Sequence, residues 1–461
     1  MSNTDFSSLG LRPDLLRNIA SLGYEKMTPI QALSCPPILA GNDVIAQGKT
    51  GSGKTAAFAL GLLEKLDVKL FRVQALVLCP TRELADQVAN EIRTLGRTIH
   101  NIKVLTLCGG VPLGPQIGSL EHGAHVIVGT PGRIEDHLDK GTLKLDAVNL
   151  LILDEADRML EMGFQKSLDA IIDQVPAQRQ TLLFSATYPP QIQAIAQRIM
   201  IKPVMAQLTS THDNSTIQQH FYRVADSRQR MTALRLLLLQ YQPESTLVFC
   251  NTKRDTQKVA DALSGFGFSV LALHGDLEQR ERVQTLVRFS NKSVSVLVAT
   301  DVAARGLDID TLDAVINYQI GHDAEVHLHR IGRTGRAGSM GLAFSLYDEG
   351  EAYKVALLDG NIDPILDSEP LPSLDLLNQC AMKPSMMTLQ IDGGKKQKVR
   401  AGDILGALTG SDGISGSQVG KIHIADHWAY VAVSPDAVKP ALNKVGEGKL
   451  KGRTFRVRLI D

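Results

Sequence analysis

The chain has 461 residues, of which 44% are apolar and 21% are charged, and its basic and acidic side chains are equal in number. This composition is ordinary for a globular protein of two to four domains, and it excludes a disordered or fibrous chain. No apolar run has the length of a membrane span and no secretory signal is visible, so we expect a cytoplasmic protein without membrane contact. The five cysteines show no metal-ligand or redox spacing, which fits a reducing compartment.

Charge is distributed unevenly along the chain. Residues 385–461 contain 12 Lys and Arg against 7 Asp and Glu, whereas the remainder contains 37 against 42. Two basic segments stand out in this tail, residues 449–458 and the cluster Lys395, Lys396, Lys398 and Arg400. A basic tail on an acidic body indicates a polyanionic partner for the tail. The alternative is that the cluster is only a solvated surface loop.

Short apolar runs alternate with longer helix-like stretches over the first 350 residues. In the first half the runs are "ALVLC" (75–79), "HVIVG" (125–129), "LLIL" (150–153) and "TLLF" (181–184). In the second half they are "TLVFC" (246–250), "VLAL" (270–273), "VSVLVA" (294–299), "AVINY" (314–318) and "LAFSLY" (342–347). Continuous apolar strands that alternate with helices predict parallel sheets covered on both faces. We therefore predict two α/β domains, with a linker at 208–216 between them and a second linker at roughly 360–384.

Polar clusters follow the predicted strands directly. In the first half these are "PTRE", "TPGR", "DEAD" and "SAT", and in the second half "NTK", "HGD" and "TDVAARG". Ligands of parallel α/β sheets bind at the carboxyl ends of the strands. Each predicted domain therefore carries its candidate site at that edge of its sheet.

The segment "GKTGSGKT", residues 48–55, fits the phosphate-binding loop pattern. It follows the apolar "DVIA" and precedes "AAFALGLLEKL", which predicts a helix. Glycines here let backbone N–H groups converge on phosphate oxygens at a helix N-terminus. Lys54 is expected to pair with the outer phosphates, and the Thr55 hydroxyl to bind Mg²⁺. The motif predicts a nucleoside triphosphate site.

The segment "LLILDEADRML" supplies the acidic half of such a site. Asp154, at the end of a predicted buried strand, is expected to hold Mg²⁺ through water. Glu155 is expected to orient and deprotonate the attacking water. Taken alone, the motif could also be an acidic turn that caps the next helix.

A third motif, "HRIGRTGR", places Arg330, Arg333 and Arg336 at three-residue spacing in the second predicted domain. Arginine suits the charge on a transferring phosphoryl group. The alternative is an exposed helix face with surface ion pairs. An arginine from the second domain that reaches a nucleotide on the first would make hydrolysis depend on closure of the two domains.

In order, these motifs resemble the set of the DEAD-box RNA helicases. The resemblance also includes Gln31 in "GYEKMTPIQ", Gly109–Gly110, "VFCNT" and "ATDVAARGLDI", and it covers residues 6–350. It implies two RecA-like parallel-sheet domains in tandem, at 1–208 and 217–360, that use ATP and Mg²⁺. Two departures stand out: Gly48 where alanine is common, and His327 where many members carry tyrosine.

The tail is similar to the C-terminal domain of the bacterial DbpA group, with "IDGGKKQKVRAGDILGALTG" as the signature. The resemblance implies a small α+β RRM-like domain at 385–461. In that group the domain binds a 23S ribosomal RNA hairpin, hairpin 92, near the peptidyl-transferase centre. The basic cluster would then belong to an RNA-addressing module.

The resemblance also implies roles for individual residues. The nucleotide contacts would be Phe6, Thr28, Gln31, Gly51, Ser52, Gly53, Lys54, Thr55, Asp154, Arg305 and Asp308. The residues acting in hydrolysis would be Lys54, Glu155, Arg333 and Arg336. The RNA contacts would be Pro80, Thr81, Arg82, Gly109, Gly110, Thr130, Gly132, Arg133, Asn251, Thr252, Thr300 and Asp301, with Lys395, Lys396, Lys398 and Arg400 in the tail. Asp157, Ser185 and Thr187 would couple the site to domain closure.

These motifs predict an ATP-dependent RNA helicase that unwinds short duplexes on 23S ribosomal RNA during late assembly of the 50S subunit. We expect a monomer without an obligate protein partner. Two alternatives stay open at this point. A P-loop ATPase could act on DNA, because contacts to 2′-hydroxyl groups cannot be read from a sequence. An ATP-gated RNA clamp or scaffold could bind RNA without unwinding it.

Overall fold

The computed structural model describes residues 4–48, 51–207, 217–304, 312–335, 340–358, 368–411, 413–448, 450 and 452–460. The chain divides into two compact units, Met1–His212 and Asp213–Asp461. The predicted linker at 208–216 lies outside the described residues, as do Arg305, Asp308 and Arg336.

The first unit contains a seven-stranded parallel sheet. Its strands are β1 (Val44–Gln47), β2 (Ala75–Leu78), β3 (Val104–Leu107), β4 (Val126–Gly129), β5 (Leu150–Asp154), β6 (Gln180–Ser185) and β7 (Val204–Gln207). They lie in the order β3-β4-β2-β5-β6-β1-β7, and every pairing is parallel. All side chains of β2, β4, β5 and β6 are buried, as expected for strands covered on both faces.

In the described part of this unit, nine α-helices accompany the sheet. They are α1 (Pro13–Ser21), α2 (Pro29–Leu39), α3 (Lys54–Lys65), α4 (Arg82–Leu95), α5 (Leu113–Glu121), α6 (Pro131–Asp139), α7 (Ala156–Glu161), α8 (Gln165–Ile172) and α9 (Pro190–Ile199). Most begin directly after a strand, so their N-termini meet the carboxyl edge of the sheet. Two apolar clusters, one on each face of the sheet, form the core.

The second unit contains a six-stranded parallel sheet. Its strands are β8 (Ile217–Arg223), β9 (Thr246–Phe249), β10 (Val270–Leu273), β11 (Val296–Ala299), β12 (Ala314–Asn317) and β13 (Gly341–Tyr347), in the order β10-β11-β9-β12-β13-β8. Its helices are α10 (Ser227–Tyr241), α11 (Lys253–Gly265), α12 (Gln279–Ser290), α13 (Asp301–Ala304), α14 (Ala324–Ile331) and α15 (Ala352–Ala356). The two predicted parallel-sheet domains are thus confirmed, and each of the nine apolar runs contains a strand.

The C-terminal residues form a smaller, antiparallel sheet. It is built from β14 (Met387–Ile391), β15 (Val419–Ile424), β16 (Ala429–Val433) and β17 (Val457–Ile460), in the order β15-β16-β14-β17. Helices α16 (Ala401–Thr409) and α17 (Val438–Glu447) follow β14 and β16. This β-α-β-β-α-β succession is that of split-βαβ folds and confirms the predicted small α+β domain.

One face of the small sheet lies against the second parallel-sheet domain. Thr388 and Gln390, which alternate with the core residues of β14, are fully buried there. The Thr388 hydroxyl lies 3.2 Å from Nδ2 of Asn291 and 2.6 Å from Oγ of Ser293, and Gln390 accepts a hydrogen bond from Gln284. Buried hydrogen bonds between side chains therefore join the small sheet to the second parallel-sheet domain.

The second predicted linker proves to be partly structured. Its described half begins at Ser368, which forms a β-bridge with Phe221, and the Glu369 carboxylate binds His220 and Tyr222 of β8. A short 3₁₀ helix, Leu374–Asn378, then packs on α10. Residues 368–378 therefore form a strap along the second sheet. Because this strap is bonded to β8 and packed on α10, the chain is held against the second sheet before it enters the small domain.

We expect Thr388→Val to destabilise the contact between the small sheet and the second parallel-sheet domain. Valine keeps the shape of threonine but lacks the hydroxyl, so Asn291 and Ser293 each lose a buried partner. An unsatisfied buried polar group costs about 1–3 kcal/mol. Urea unfolding of the full chain measures the loss.

The control for this change is Thr409→Val on α16. The Thr409 hydroxyl is exposed and bonds only the Leu405 carbonyl within the helix. This substitution should alter the free energy of unfolding by less than about 0.5 kcal/mol. Equal effects at positions 388 and 409 would show that the buried hydrogen bonds do not stabilise the contact.

Candidate nucleotide site and RNA-binding surfaces

The phosphate-binding loop connects β1 to α3 at the carboxyl edge of the first sheet. Gly51 and Gly53 have φ values of 82° and 93°, which glycine adopts without strain. Lys54 begins α3, is 6% exposed, and its Nζ donates to the Gly48 carbonyl. The Ser52 hydroxyl is buried and has no hydrogen-bond partner among the described residues. A buried cation and an unpartnered hydroxyl at a helix N-terminus suit an anionic ligand.

Thr28 and Gln31, the predicted adenine contacts, are bonded to this same loop. They form a capping box at the start of α2, in which the Thr28 N–H donates to Oε1 of Gln31 over 2.8 Å. The Thr28 hydroxyl donates to the Ser52 carbonyl, and Nε2 of Gln31 donates to the Gly53 carbonyl. The side chains that would read the base therefore also hold the loop that would bind the phosphates.

Phe6, the third predicted adenine contact, lies in the core of the first unit. It is 4% exposed and makes an edge-to-face contact with Tyr24. Its contact with a base stays a prediction.

Asp154 and Glu155 end β5 beside Lys54. Asp154 is 3% exposed, and burial, followed by the charge of Glu155, raises its pKa to about 7. Burial in turn lowers the pKa of Lys54, against the opposing effect of the neighbouring carboxylates. Glu155 has a φ of 52°, an uncommon backbone conformation for a residue with a side chain. Such strain at the end of a strand is typical of a functional position.

The chemistry of these donors fits Mg²⁺. This ion is commonly bound by one or two protein oxygens together with substrate phosphates and water. The Thr55 hydroxyl and the Asp154 carboxylate would supply such oxygens next to the phosphate-binding loop. Within the described ranges, no group of three or more His, Cys, Asp or Glu side chains forms an all-protein metal site.

Asp157 joins the DEAD segment to the SAT segment. Its Oδ2 accepts hydrogen bonds from the Ala186 N–H at 3.2 Å and from the N–H and hydroxyl of Thr187, both at 3.0 Å. Ser185 is buried, and its hydroxyl has no partner in the described part of the chain. Asp157 thus binds the segment that contains Thr187 directly, and the coupling of Asp157, Ser185 and Thr187 to domain closure stays a prediction.

The predicted RNA contacts of the first unit line the same edge of the sheet. Thr81 caps α4, with Oγ1 accepting from the Leu84 N–H. The Arg82 guanidinium lies against Gly109 and Gly110, where a Cβ on Gly110 would come within 1.6 Å of Nη1. A side chain at position 110 would displace the Arg82 guanidinium, and the φ of 73° at Gly110 also favours glycine. Sequence motifs far apart in the chain therefore form one surface.

Arg133, also predicted to contact RNA, is engaged with the protein. Its guanidinium donates twice to the Val111 carbonyl, at 3.1 Å from each terminal nitrogen, and also to Gln116 and Asp136. In this structure Arg133 therefore holds the loop that follows Gly110. Its direct contact with RNA stays a prediction.

In the second unit Arg330 is the centre of a polar cluster. Its guanidinium binds both carboxylate oxygens of Asp301, at 2.7 and 2.8 Å, and also donates to Asn251, Asn317 and the Gln319 carbonyl. Arg330 is 1% exposed, and all five of its N–H groups are used. It therefore organises this edge of the second sheet, and a role of the three arginines in phosphoryl transfer stays a prediction.

The neighbouring His327 fits the same interior. It hydrogen-bonds Asn317 and Gln219, and its ring stacks on Phe221 at 6.3 Å between centroids. Burial, and then the charge of Arg330, lower the pKa of His327 to about 4. The histidine is therefore neutral at physiological pH and fills a structural position.

The basic cluster of the C-terminal domain is exposed and has a fixed backbone. Lys395, Lys396, Lys398 and Arg400 are all exposed. The N–H groups of Lys395 and Lys396 donate to carbonyls of the turn between β15 and β16, at 2.9 Å each. Gly394 permits this approach, because a Cβ there would lie 2.2 Å from the Ala425 carbonyl oxygen. The cations are thus held on a rigid loop at the edge of the small sheet.

Sequence reasoning missed several residues of these surfaces. Gln116 and His137 stand behind the Gly109–Gly110 loop, and neither belongs to a motif that was singled out. Trp428 is partly buried, and the Arg280 guanidinium lies over its ring at 5.2 Å from the centroid. None of the described helices has both the length and the apolar character needed to span a membrane.

Three protein-family models match successive parts of the chain. The DEAD/DEAH box helicase model covers residues 28–195, and the helicase conserved C-terminal domain covers residues 229–338. The DbpA RNA binding domain covers residues 388–459. The three matches correspond to the three sheets.

Similar proteins share this arrangement. The chain is 53% identical to the ATP-dependent RNA helicase DbpA of Escherichia coli over 99% of its own length and 100% of that protein. It is 43% identical to the DEAD-box ATP-dependent RNA helicase CshA of Geobacillus kaustophilus, over 81% of this chain and 79% of CshA.

Solved structures are similar as well. Dbp5 of S. cerevisiae bound to RNA and ADP BeF3 is 29% identical with a TM-score of 0.69, covering 79% of this chain and 94% of Dbp5. Mss116p bound to ssRNA and AMP-PNP has a TM-score of 0.71 at 26% identity, covering 81% of each chain. From its motifs, its sheets and these similarities together, the chain belongs to the DEAD-box ATP-dependent RNA helicases, and within them to the DbpA group.

Proposed function

We propose that this helicase binds 23S ribosomal RNA in the hairpin 92 region through its C-terminal domain and unwinds short duplexes nearby. The observation that carries the proposal is the rigid, exposed cluster Lys395–Arg400 in a domain that fits an RNA-binding model. Similarity to E. coli DbpA along the whole chain supports the same target. The substrate would be pre-50S particles in the cytoplasm during late subunit assembly, and the enzyme would act as a monomer.

ATP would bind at the first sheet, with its phosphates on the backbone of residues 51–53 and on Lys54. Bound Mg²⁺ would neutralise charge on the phosphates, with the Thr55 hydroxyl and the Asp154 carboxylate as its protein ligands. Thr28, Gln31 and Phe6 would contact the adenine. Because Thr28 and Gln31 also bond the loop, base binding and phosphate binding would be coupled.

Glu155 would act as the general base for the attacking water. It adjoins Asp154 at the end of β5, and its backbone φ of 52° is uncommon for a residue with a side chain. Asp157, which binds the SAT segment through three hydrogen bonds, would transmit the state of the site to Ser185 and Thr187.

The second domain would complete the site on closure. Arg333 and Arg336 would stabilise negative charge in the transition state, and Arg305 and Asp308 would contact the nucleotide. Arg330, saturated by protein acceptors, would hold the segment that carries them.

RNA would bind along the strand ends of both domains. In the first domain Pro80, Thr81, Arg82, Gly109, Gly110, Thr130, Gly132 and Arg133 would form this surface. In the second it would include Thr252 and Thr300. The closed enzyme would bend one strand and release the other, and product release would reopen it.

Strand displacement with RNA and DNA duplexes of one sequence distinguishes this function from its alternatives. We expect ATP-dependent displacement of RNA, strongest when hairpin 92 is linked to the duplex. Equal displacement of DNA would favour a DNA-directed ATPase. ATP-dependent binding without displacement would favour a clamp.

We expect Glu155→Gln to retain ATP and RNA binding but to lower the rate of ATP hydrolysis by about 10²-fold or more, since the attacking water loses its base. Steady-state ATPase assays with saturating RNA, together with nucleotide titrations, measure both quantities. The matched control is Glu161→Gln, six residues further on, whose carboxylate contacts Arg158. Turnover near the wild-type rate in Glu155→Gln would refute the assignment.

We expect Gln31→Glu to raise the KM for ATP by about 10-fold, a typical effect of losing one bidentate base contact. Glutamate keeps the acceptor for the Thr28 N–H but loses the amide donor to the Gly53 carbonyl and to adenine N7. The wild-type enzyme should prefer ATP to GTP. The control is Gln193→Glu, which loses a donor to the Tyr188 carbonyl on an exposed helix. Equal hydrolysis of ATP and GTP by the wild type would contradict base reading by Gln31.

We expect the variant Lys395→Gln, Lys396→Gln, Lys398→Gln to bind the hairpin more weakly, and so to show a smaller preference for it, because phosphate contacts position the RNA without reading its sequence. Each phosphate contact contributes about −0.7 to −0.9 to the slope of the logarithm of the binding constant against the logarithm of the salt concentration. Loss of three contacts should therefore reduce the magnitude of this slope by about 2–3. Competition titration of the hairpin against a scrambled RNA, at several salt concentrations, measures both effects.

The matched control for this triple variant changes Lys140, Lys144 and Lys166, three exposed lysines of the first domain, to glutamine. It removes the same charge and should leave the preference intact. Truncation before residue 385 should abolish the preference while RNA of any sequence still stimulates hydrolysis weakly. A truncated core that still prefers the hairpin would refute the addressing role.

A further inference from the structure

The loop between β3 and α5 is held at both of its ends by side chains. This loop, Cys108–Val111, contains Gly109 and Gly110, against which Arg82 lies. At one end, Nε2 of Gln116 donates to the Cys108 carbonyl over 2.9 Å. At the other end, the Arg133 guanidinium donates to the Val111 carbonyl. The two glycines that lie against Arg82 therefore form a short bridge between two anchored carbonyls.

Gln116 connects the two anchors. With its amide nitrogen on Cys108, its carbonyl oxygen Oε1 faces Arg133 and accepts from Nη1 at 2.9 Å. The same oxygen lies 2.9 Å from Nε2 of His137. Gln116 is 9% exposed and His137 is fully buried. One amide thus orients both the start of the loop and the arginine that holds its end.

His137 is bonded to the same amide. Burial, and then the charge of Arg133, lower the pKa of His137, so the imidazole is neutral and carries one N–H. Because Oε1 of Gln116 can only accept, this N–H is on Nε2. Nδ1 then lies 2.9 Å from the Thr142 hydroxyl, which also donates to the His137 carbonyl. A flipped Gln116 amide would turn its N–H groups towards the Arg133 guanidinium and its oxygen towards the Cys108 carbonyl, so these two partners set the orientation of the amide and His137 stabilises it.

We propose that Gln116 and His137 are positioning residues for RNA binding, which fix the Gly109–Gly110 loop beside Arg82 through the Cys108 and Val111 carbonyls. The inference rests on the proposed function, because it takes this loop as part of the RNA surface. Neither residue would touch RNA or nucleotide. They would affect the affinity for RNA and the order of the Gly109–Gly110 loop. Binding of ATP should not change, because other hydrogen bonds hold the phosphate-binding loop.

The chain supplies a matched control in His125. Like His137 it is fully buried in the first domain, and both of its ring nitrogens are bonded, to the Lys103 N–H at 3.0 Å and to the Val68 carbonyl at 3.2 Å. It lies just before β4, at the amino end of the strand and away from the RNA surface. Loss of a buried, doubly bonded histidine can therefore be separated from loss of the loop anchor.

The test compares Gln116→Met, His137→Phe and His125→Phe in the full-length enzyme. Thermal unfolding reports folding, and steady-state ATPase assays give the KM for ATP and the RNA concentration for half-maximal stimulation. Hydrogen exchange of the amides at 109–111 in the free protein reports loop order.

We expect Gln116→Met and His137→Phe to raise the half-saturating RNA concentration by about 5- to 10-fold, which is the effect of one net hydrogen bond. The KM for ATP should stay within about 2-fold of the wild-type value. Exchange at 109–111 should become faster in both.

His125→Phe should lower the unfolding temperature but leave RNA affinity and exchange at 109–111 unchanged. If His137→Phe does not fold, Gln116→Met, which alters a side chain that is 9% exposed rather than fully buried, decides the question alone. Unchanged RNA affinity and loop exchange in Gln116→Met would overturn the inference, while RNA stimulation of the wild-type enzyme leaves the proposed function standing. If RNA does not stimulate the wild type at all, the proposed function fails, and the inference fails with it.

Discussion

The register of the ladder between β1, β6 and β5 is the constraint on which the nucleotide site depends. Ala46 of β1 and Asp154 of β5 both pair with Phe184 of β6, so the phosphate-binding loop and the acidic motif leave the sheet at the same level. The Gly48 N–H donates to the Ser185 carbonyl and continues this ladder into the loop. A slip of one residue would turn every side chain of a strand to the opposite face. Because both faces of these strands are buried in apolar clusters, such a slip is excluded.

This register brings opposite charges together out of water. Lys54 and Asp154 are both almost fully buried, and burial shifts the pKa of each towards its neutral form. Buried charges cost free energy unless they are paired and hydrogen-bonded. Under the proposed function, a bound triphosphate and its cation would add a negative charge beside Lys54 and a positive charge beside Asp154. The packing of the sheet thus keeps Lys54 and Asp154 close together in the buried site before any ligand binds.

The sequence was sufficient for the sheets and for most of the site, but not for the hydrogen bonds that connect its parts. Strands such as β5 were predictable because complete burial requires continuous apolar runs, and the motifs were predictable because they follow those runs. The role of Arg330 was not predictable, since its spacing with Arg333 and Arg336 is compatible with a helix face, a phosphate contact or an internal ion pair. Only the acceptors around it, including Asp301 and Asn251, decide among these. The domain boundaries at 208, 217, 360 and 385 stay predictions.

The C-terminal domain shows a further limit of pattern reading. A basic tail behind a Pro- and Ser-containing linker suggests a module on a flexible tether, which would raise the effective RNA concentration around the core. The structure instead describes residues 368–378 as a strap along the second sheet, and it buries Thr388 and Gln390 of the small sheet in that same unit. A fixed attachment loses less conformational entropy on binding than a flexible one. It also covers the sheet face at Thr388, Gln390 and Tyr430, and it leaves exposed the cations of the edge loop, Lys395 to Arg400, together with Arg453 and Arg456 of the second basic segment. RNA bound on that loop would then have a defined position relative to the strand ends of the second domain, which a flexible tether could not provide.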